Sequence, residues 1–255
     1  MKKIPFLAAS FLACQFAFAE EDEKRNHAQM RSWKVTVGAG AATVPRYEGA
    51  GTNRIRFVPL LDLQHGRFFA GTARGIGYNL SDNPALQYGP RLSVAPYRRQ
   101  SVDARLNGMG DIGYGAEAGA YFNARLAPWY FKSSIAAGNH GTRLNFGGGY
   151  VMKLAATDKL NLGIGVNWAN ARYMQTYFGV TAAQAAASGG VLTAYNAGAG
   201  IKNYELKANW THVWSRQWFS TAGVSIRQLA GTARNSPLTM RRTASSASFV
   251  VGYRF

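Results

Sequence analysis

The sequence predicts an antiparallel β-barrel that crosses a membrane with about twelve strands, ten being the alternative. Three observations carry this. Runs of about ten residues alternate between apolar and small polar side chains, tryptophans gather where those runs break, and the chain closes on an alternating segment that ends in Phe255. Alternation with period two puts successive side chains on opposite faces of a strand. About ten residues is the length of a tilted strand that spans a bilayer.

The chain opens on Lys2 and Lys3, an apolar stretch over 4–18, and Ala17-Phe18-Ala19. A basic start, a short apolar run and an A-x-A site form a secretory signal peptide cleaved after Ala19. The expected organisation is a signal peptide at 1–19, a polar periplasmic extension at 20–32 and an outer-membrane barrel at 33–255. The one cysteine, Cys14, lies inside the leader, and Phe11 and Leu12 match a lipidation signal poorly. Beyond the leader no apolar run reaches the roughly 18 residues of a helical span.

Alternation is clearest after Lys202, where Tyr204, Leu206, Ala208 and Trp210 oppose Asn203, Glu205, Lys207, Asn209 and Thr211. Leu162, Ile164, Val166 and Trp168 oppose Asn161, Gly163, Gly165 and Asn167; Leu144, Phe146, Tyr150 and Met152 oppose Arg143, Asn145, Gly147 and Lys153. Phe131, Ser133 and Ile135 oppose Lys132 and Ser134. A soluble sandwich also alternates, but here the polar face is made of Gly, Asn, Ser and Arg, as a narrow lumen requires. Trp210, Trp214 and Trp218 flank a turn at 215–217, and Trp129 follows Pro128. Indoles at turns suit the two interfaces of a membrane barrel. Phe249, Val251, Tyr253 and Phe255 share one face of the last strand, the pattern of a terminal insertion signal. That strand is expected to close the sheet against the first, near 33–41, because open edges are not tolerated in hydrocarbon.

Strands are expected to begin near Trp33, Arg54, Arg67, Leu86, Ala116, Trp129, Thr142, Leu160, Gly198, Trp218 and Ser245. An even strand number means that one of these eleven is no strand, which gives ten, or that one more exists, which gives twelve and is expected within 100–115. The segments 157–159 and 215–217 read as short periplasmic turns. Those at 42–53, 174–197 and 231–244 read as long outer loops, with a short helix over 181–188.

The formal charge is +17, two of these charges sitting in the leader. Export argues against nucleic acid as partner and points to outer-membrane lipid and lipopolysaccharide. Arg56, Arg91, Arg125, Lys132, Arg143, Lys153, Lys207, Arg227 and Arg254 fall on the polar face by the period-two phase, where they avoid the cost of facing lipid. Two readings stay open: a narrow anion-preferring pore, or a plugged lumen with Glu117 and Glu205 as counter-charges. Arg234, Arg241 and Arg242, in an outer loop, are candidate contacts for lipopolysaccharide phosphates.

No catalytic, metal-binding or cofactor-binding residue is assigned. His27, His65, His140 and His212 show no metal-ligand spacing. No Gly-x-Ser-x-Gly elbow occurs. Asp103 and Asp111, near Arg105, are the one place where a carboxylate pair could be sought. An outer-membrane hydrolase is therefore a third functional class, behind a scaffold and a pore.

Several strings occur in order along the chain. They are Gly38-Ala39-Gly40 with Pro45-Arg46-Tyr47-Glu48-Gly49; Phe68-Phe69 with Gly75-Ile76-Gly77; Gly108-Met109-Gly110-Asp111-Ile112 with Glu117-Ala118-Gly119; and Gly138-Asn139-His140-Gly141. Tyr177-Phe178-Gly179-Val180-Thr181 with Gln184 and Ser188-Gly189, Asn235-Ser236-Pro237-Leu238, and Gly252-Tyr253-Arg254-Phe255 follow. Together they resemble the MipA/OmpV family of outer-membrane proteins across nearly all of the mature chain that follows the leader. Asn139 and Asn235 depart from that pattern. The resemblance implies a non-enzymatic role without a cofactor. One branch is similar to a scaffold that couples a lytic transglycosylase, MltA, to a bifunctional penicillin-binding protein. Other members look like outer-membrane proteins linked to adhesion, immunogenicity or antibiotic response.

Overall fold

The computed structural model describes residues 33–255; the leader at 1–19 and the extension at 20–32 lie outside the described residues. Twelve strands follow one another: β1 (Trp33–Pro45), β2 (Asn53–His65), β3 (Phe68–Gly71), β4 (Gly75–Tyr78), β5 (Leu86–Ala95), β6 (Gly115–Leu126), β7 (Trp129–Gly138), β8 (Gly141–Lys153), β9 (Asp158–Ala169), β10 (Gly200–Val213), β11 (Trp218–Leu229) and β12 (Thr243–Arg254). Each pairs antiparallel with the next, and β12 returns to β1 with Thr36 opposite Arg254 and Thr43 opposite Ala247. The sheet is a closed barrel, as the alternation and the terminal strand require.

Burial follows the period-two phase. Ile55, Phe57, Leu92, Phe122, Phe131, Phe146, Ile164, Leu206, Ile226 and Phe249 are exposed on the outer face, where lipid supplies the missing contacts. Val251 of β12 and Phe255, the residue after that strand, are exposed as well. The connections at 66–67, 79–85, 127–128, 154–157 and 214–217 define one end of the barrel. Trp33, Trp129, Trp214 and Trp218 are exposed there, with Trp33 stacked on His65 at 4.8 Å and Trp218 edge-on to Tyr253 at 5.0 Å.

The strand missing from the sequence reading is not within 100–115 but at Gly75–Tyr78. Four residues are too few to display a period, so β3 and β4 read as one strand. Segment 100–115 instead forms two 3-10 turns (Gln100–Val102 and Ala104–Leu106) that bury Leu106 in the loop end. The loop expected at 42–53 shrinks to 46–52 because β1 and β2 run on.

The short β3–β4 hairpin leaves the wall low at one place. β3 meets β2 only at Asp62–His65, and the 72–74 turn ends against Leu61, whose carbonyl accepts from Thr72 N at 2.9 Å. From Leu60 back to Asn53, β2 has no strand on that side among the described residues.

Three helices lie at the loop end: α1 (Ala171–Phe178), α2 (Ala182–Ala187) and α3 (Gly231–Arg234). Asn170 caps α1 through Tyr173 N at 2.9 Å. Thr181 and Gln184 form a capping box on α2, the helix expected at 181–188. No helix among the described residues is long and apolar enough to cross a membrane.

Candidate functional site

Two features could do chemistry or recognition: the polar lumen, and the cap that the outer loops build over it.

In the loop-end half of the lumen, acids and bases interlock. The Glu117 carboxylate is almost fully buried. It takes bonds from Arg143 Nε at 3.1 and 3.2 Å, from Arg143 Nη2 at 2.6 Å and from Ser93 Oγ at 3.0 Å. Glu205 accepts from Arg227 at 2.8 Å and from Lys207 at 3.3 Å. Glu48, on the 46–52 loop, receives Lys202 Nζ on both oxygens at 3.0 Å. Lys202 points inward because β10 bulges between Ile201 and Asn203, which turns Lys202 out of the lipid-facing phase of Tyr204 and into the lumen beside Asn203. Burial alone would raise the Glu48 carboxyl; Lys202 and Arg227 outweigh it and hold it below the usual carboxylate range.

The turn-end half is basic and aromatic. Arg125, Lys132, Lys153, Lys159 and Arg254 share the lumen face with Tyr130, Phe219 and Phe69. Lys132 Nζ lies 5.5 Å from the Tyr130 ring, and Arg254 lies 4.6 Å from the Phe219 ring. Arg74 sits 4.7 Å from the Phe69 ring and bonds Asp62 at 2.5 Å. The aromatic side chains reach over glycines of strands one or two places away in the sheet. A Cβ on Gly77 would strike Phe69, one on Gly149 or Gly163 would strike Tyr130, and one on Gly252 would strike Phe219. Glycine in this lumen makes room for rings.

Over the outer mouth the loops pack into a lid with two apolar clusters. One joins Tyr173, Met174, Tyr177 and Phe178 of α1 to Leu229 and Ala233; the other joins Tyr47, Leu106, Met109, Val180, Leu192 and Leu238. Fully burying such side chains contributes about 1.5–3 kcal/mol each. Polar ties lock the lid. Tyr47 OH donates to Leu238 O at 2.9 Å, Tyr177 OH donates to Pro96 O, and Arg98 donates to Tyr177 O at 2.8 Å. Burial pushes the Tyr47 phenol up to about 12 and raises Tyr173 and Tyr177 further, so all three stay neutral. A cleft of about 70 Å³ opens beside this lid, lined by Arg46, Arg54, Tyr97, Arg98 and Arg99 among others.

The nine basic residues read by phase all lie in strands: Arg56 in β2, Arg91 in β5, Arg125 in β6, Lys132 in β7, Arg143 and Lys153 in β8, Lys207 in β10, Arg227 in β11 and Arg254 in β12. The structure gathers Arg143 with Glu117, and Arg227 and Lys207 with Glu205, the counter-charges expected for a plugged lumen. Arg234, Arg241 and Arg242 are exposed on the last outer loop. Sequence reasoning missed Arg54, although it shares the phase of Arg56. It missed Lys202, whose phase the bulge inverts, and Arg98, which lies in no strand. The candidate acids cap backbone: Asp103 accepts from Arg105 N at 3.1 Å and Asp111 from Gln100 N at 2.8 Å. His140 Nδ1 is 2.9 Å from Tyr177 OH, and His212 Nδ1 is 2.9 Å from Asp158. No group of three metal-ligating side chains occurs among the described residues; His27 lies outside them.

A closed ring of twelve strands, apolar outside, polar inside and lidded by its loops, is an outer-membrane β-barrel. The chain belongs to the family described as MltA-interacting protein MipA, whose pattern it matches over residues 37–255. No curated protein matches the sequence. Among solved structures, a bacterial polysaccharide outer membrane secretin is similar at 9% identity and a TM-score of 0.42, covering 89% of this chain and 99% of that one. The monoaromatic hydrocarbon channel CymD is similar at 10% and 0.41, covering 89% of each chain. A Pseudomonas aeruginosa FadL homologue is similar at 9% and 0.35, covering 87% of this chain and 89% of that one. At such identities and scores these likenesses bear on neither substrate nor role.

Proposed function

We propose that this barrel is a non-catalytic scaffold of the outer membrane, exported through a cleaved leader at 1–19. Its periplasmic turns and the extension at 20–32 dock a lytic transglycosylase and a penicillin-binding protein. The observation that carries this reading is membership, over 37–255, of a family described as MltA-interacting. The lid supports it: apolar clusters fill the outer mouth, which leaves the periplasmic rim as the face open to large partners. Pull-down with the mature barrel from detergent extracts should retain a murein-cleaving or murein-synthesising enzyme. Replacing the turn at 79–85, whose exposed Asp82 pairs with Arg67 of the 66–67 turn, should weaken retention. An intact barrel that retains neither enzyme would refute the scaffold.

A second reading, a narrow anion-preferring pore, is favoured by the basic turn-end lumen. Planar-bilayer recordings test it: anion-selective steps would support it, and no steps or cation preference would remove it. Arg234, Arg241 and Arg242 are proposed to bind lipopolysaccharide phosphates; neutralising all three should reduce that binding.

A further inference from the structure

The low place in the wall has defined sides. Leu61 O accepts from Thr72 N and Leu61 N donates to Thr72 Oγ1, so Leu61 turns its backbone away from β1; Pro59, Phe57 and Ile55, at steps of two, do the same. On the other side, Leu80 N donates to Tyr88 O at 2.8 Å, so Leu92 and Val94 also direct their backbone toward β4. β4 meets β5 only at Leu92 and Arg91. Above the 72–74 turn, the two edges therefore face each other across a window. Its roof is the 96–99 segment, whose Tyr97 ring reaches to 5.8 Å from the Arg56 guanidinium. Pro59, with no N–H to lose, sits on the β2 edge, where a ladder bond is absent.

No backbone hydrogen bond reaches Ile55, Phe57 or Val94 from the window among the described residues. Bare backbone groups are costly in hydrocarbon, so polar matter must stand in the opening. The outer lips are greasy: Ile55, Phe57, Leu92 and Val94 are exposed, Ile55 by 77%. The inner side is cationic. The cleft of about 70 Å³ has room for one phosphate-sized group among Arg46, Arg54, Arg98 and Arg99. Its acid, Glu48, is already held by Lys202. The Nε atoms of Arg54 and Arg98 are buried with no hydrogen-bond partner among the described residues, and Arg98 is only 7% exposed. Burial lowers Arg98 to about 10, so it remains charged at neutral pH.

We propose that this window between β2 and β5 binds an anionic lipid of the surrounding membrane. Its phosphate turns inward onto Arg54 and Arg98, and its acyl chains lie outside over Ile55, Phe57, Leu92 and Val94. An arginine fork matches a phosphate geometrically, and the phosphate oxygens and their water would satisfy the exposed edges.

The test is native mass spectrometry of the detergent-purified mature barrel with phosphatidylglycerol, with phosphatidylcholine of the same chains, and with inorganic phosphate. Phosphatidylglycerol should bind about tenfold more tightly than phosphatidylcholine, and inorganic phosphate should not displace it. Arg54→Gln should lower phosphatidylglycerol affinity about tenfold while heat-modifiable gel mobility, the mark of a folded barrel, is unchanged. Neutralising Arg234, Arg241 and Arg242 together should leave it intact, which separates the window from the outer loop. Equal affinity for the two lipids, displacement by inorganic phosphate, or an unaffected Arg54→Gln variant would each overturn the proposal. Enzyme retention in the pull-down is a separate readout, so the scaffold can fail without the window.

Discussion

Glu117→Gln is the substitution whose cost the lumen geometry defines best. The change is isosteric, so packing is kept and one charge is lost. In the wild type the carboxylate is 2% exposed and meets the Arg143 guanidinium at 2.6–3.2 Å. At an effective dielectric near 20, charges about 3.5 Å apart attract by roughly 5 kcal/mol. The Arg143 side chain is 23% exposed, so part of that returns as hydration when its partner is neutralised. Breaking a buried pair on one side costs about 3–5 kcal/mol, and the partial exposure of Arg143 brings the expectation to about 2–4 kcal/mol. Denaturant unfolding in detergent, followed by tryptophan fluorescence, measures it. Arg143→Met added to Glu117→Gln should recover at least about 1 kcal/mol, because no unpaired charge then remains. A single-variant cost below about 1 kcal/mol, or strict additivity in the pair, would refute an electrostatic lock in the lumen.

Other outcomes follow from the same geometry. Glu48 has a folded pKa held below its unfolded value near 4.3, so its stabilisation is present above that pH and is lost as pH falls through the folded value. The lid should become protease-sensitive below about pH 4, and Glu48→Gln should flatten that profile. Leu106→Ala should open a cavity in the second apolar cluster and cost the lid about 2–4 kcal/mol. Hydrogen exchange should rise around 100–110 and 180–195, with strand amides still protected. Gly252→Ala should cost about 1–3 kcal/mol by driving a methyl into the Phe219 ring, and Phe219→Leu in the same chain should relieve part of it in the same unfolding assay.

Much of the lumen was legible because period two is a local property. Arg143, Lys207 and Arg227 each alternate with lipid-facing neighbours, so their side of the wall could be read from adjacent residues alone. The same rule fails wherever the chain breaks its own period. Lys202 shares the phase of Tyr204, yet one extra residue in β10 turns it inward to Glu48. The hairpin Phe68–Gly71 and Gly75–Tyr78 is too short for any pattern, which hid both the twelfth strand and the window above it.

The sequence by itself determined the strand faces, the partner of the last strand, the aromatic turn end and the basic character of the interior. Each follows from side-chain alternation and from the need to satisfy backbone in lipid. Only the tertiary structure decided that the outer loops form a lid and that Arg54, Arg98 and Glu48 meet beside a gap in the wall. Those contacts join residues far apart in the chain, such as Tyr47 with Leu238 and Glu48 with Lys202. Which distant loops meet is set by how the closed barrel arranges strand ends around its rim, and no local pattern encodes that.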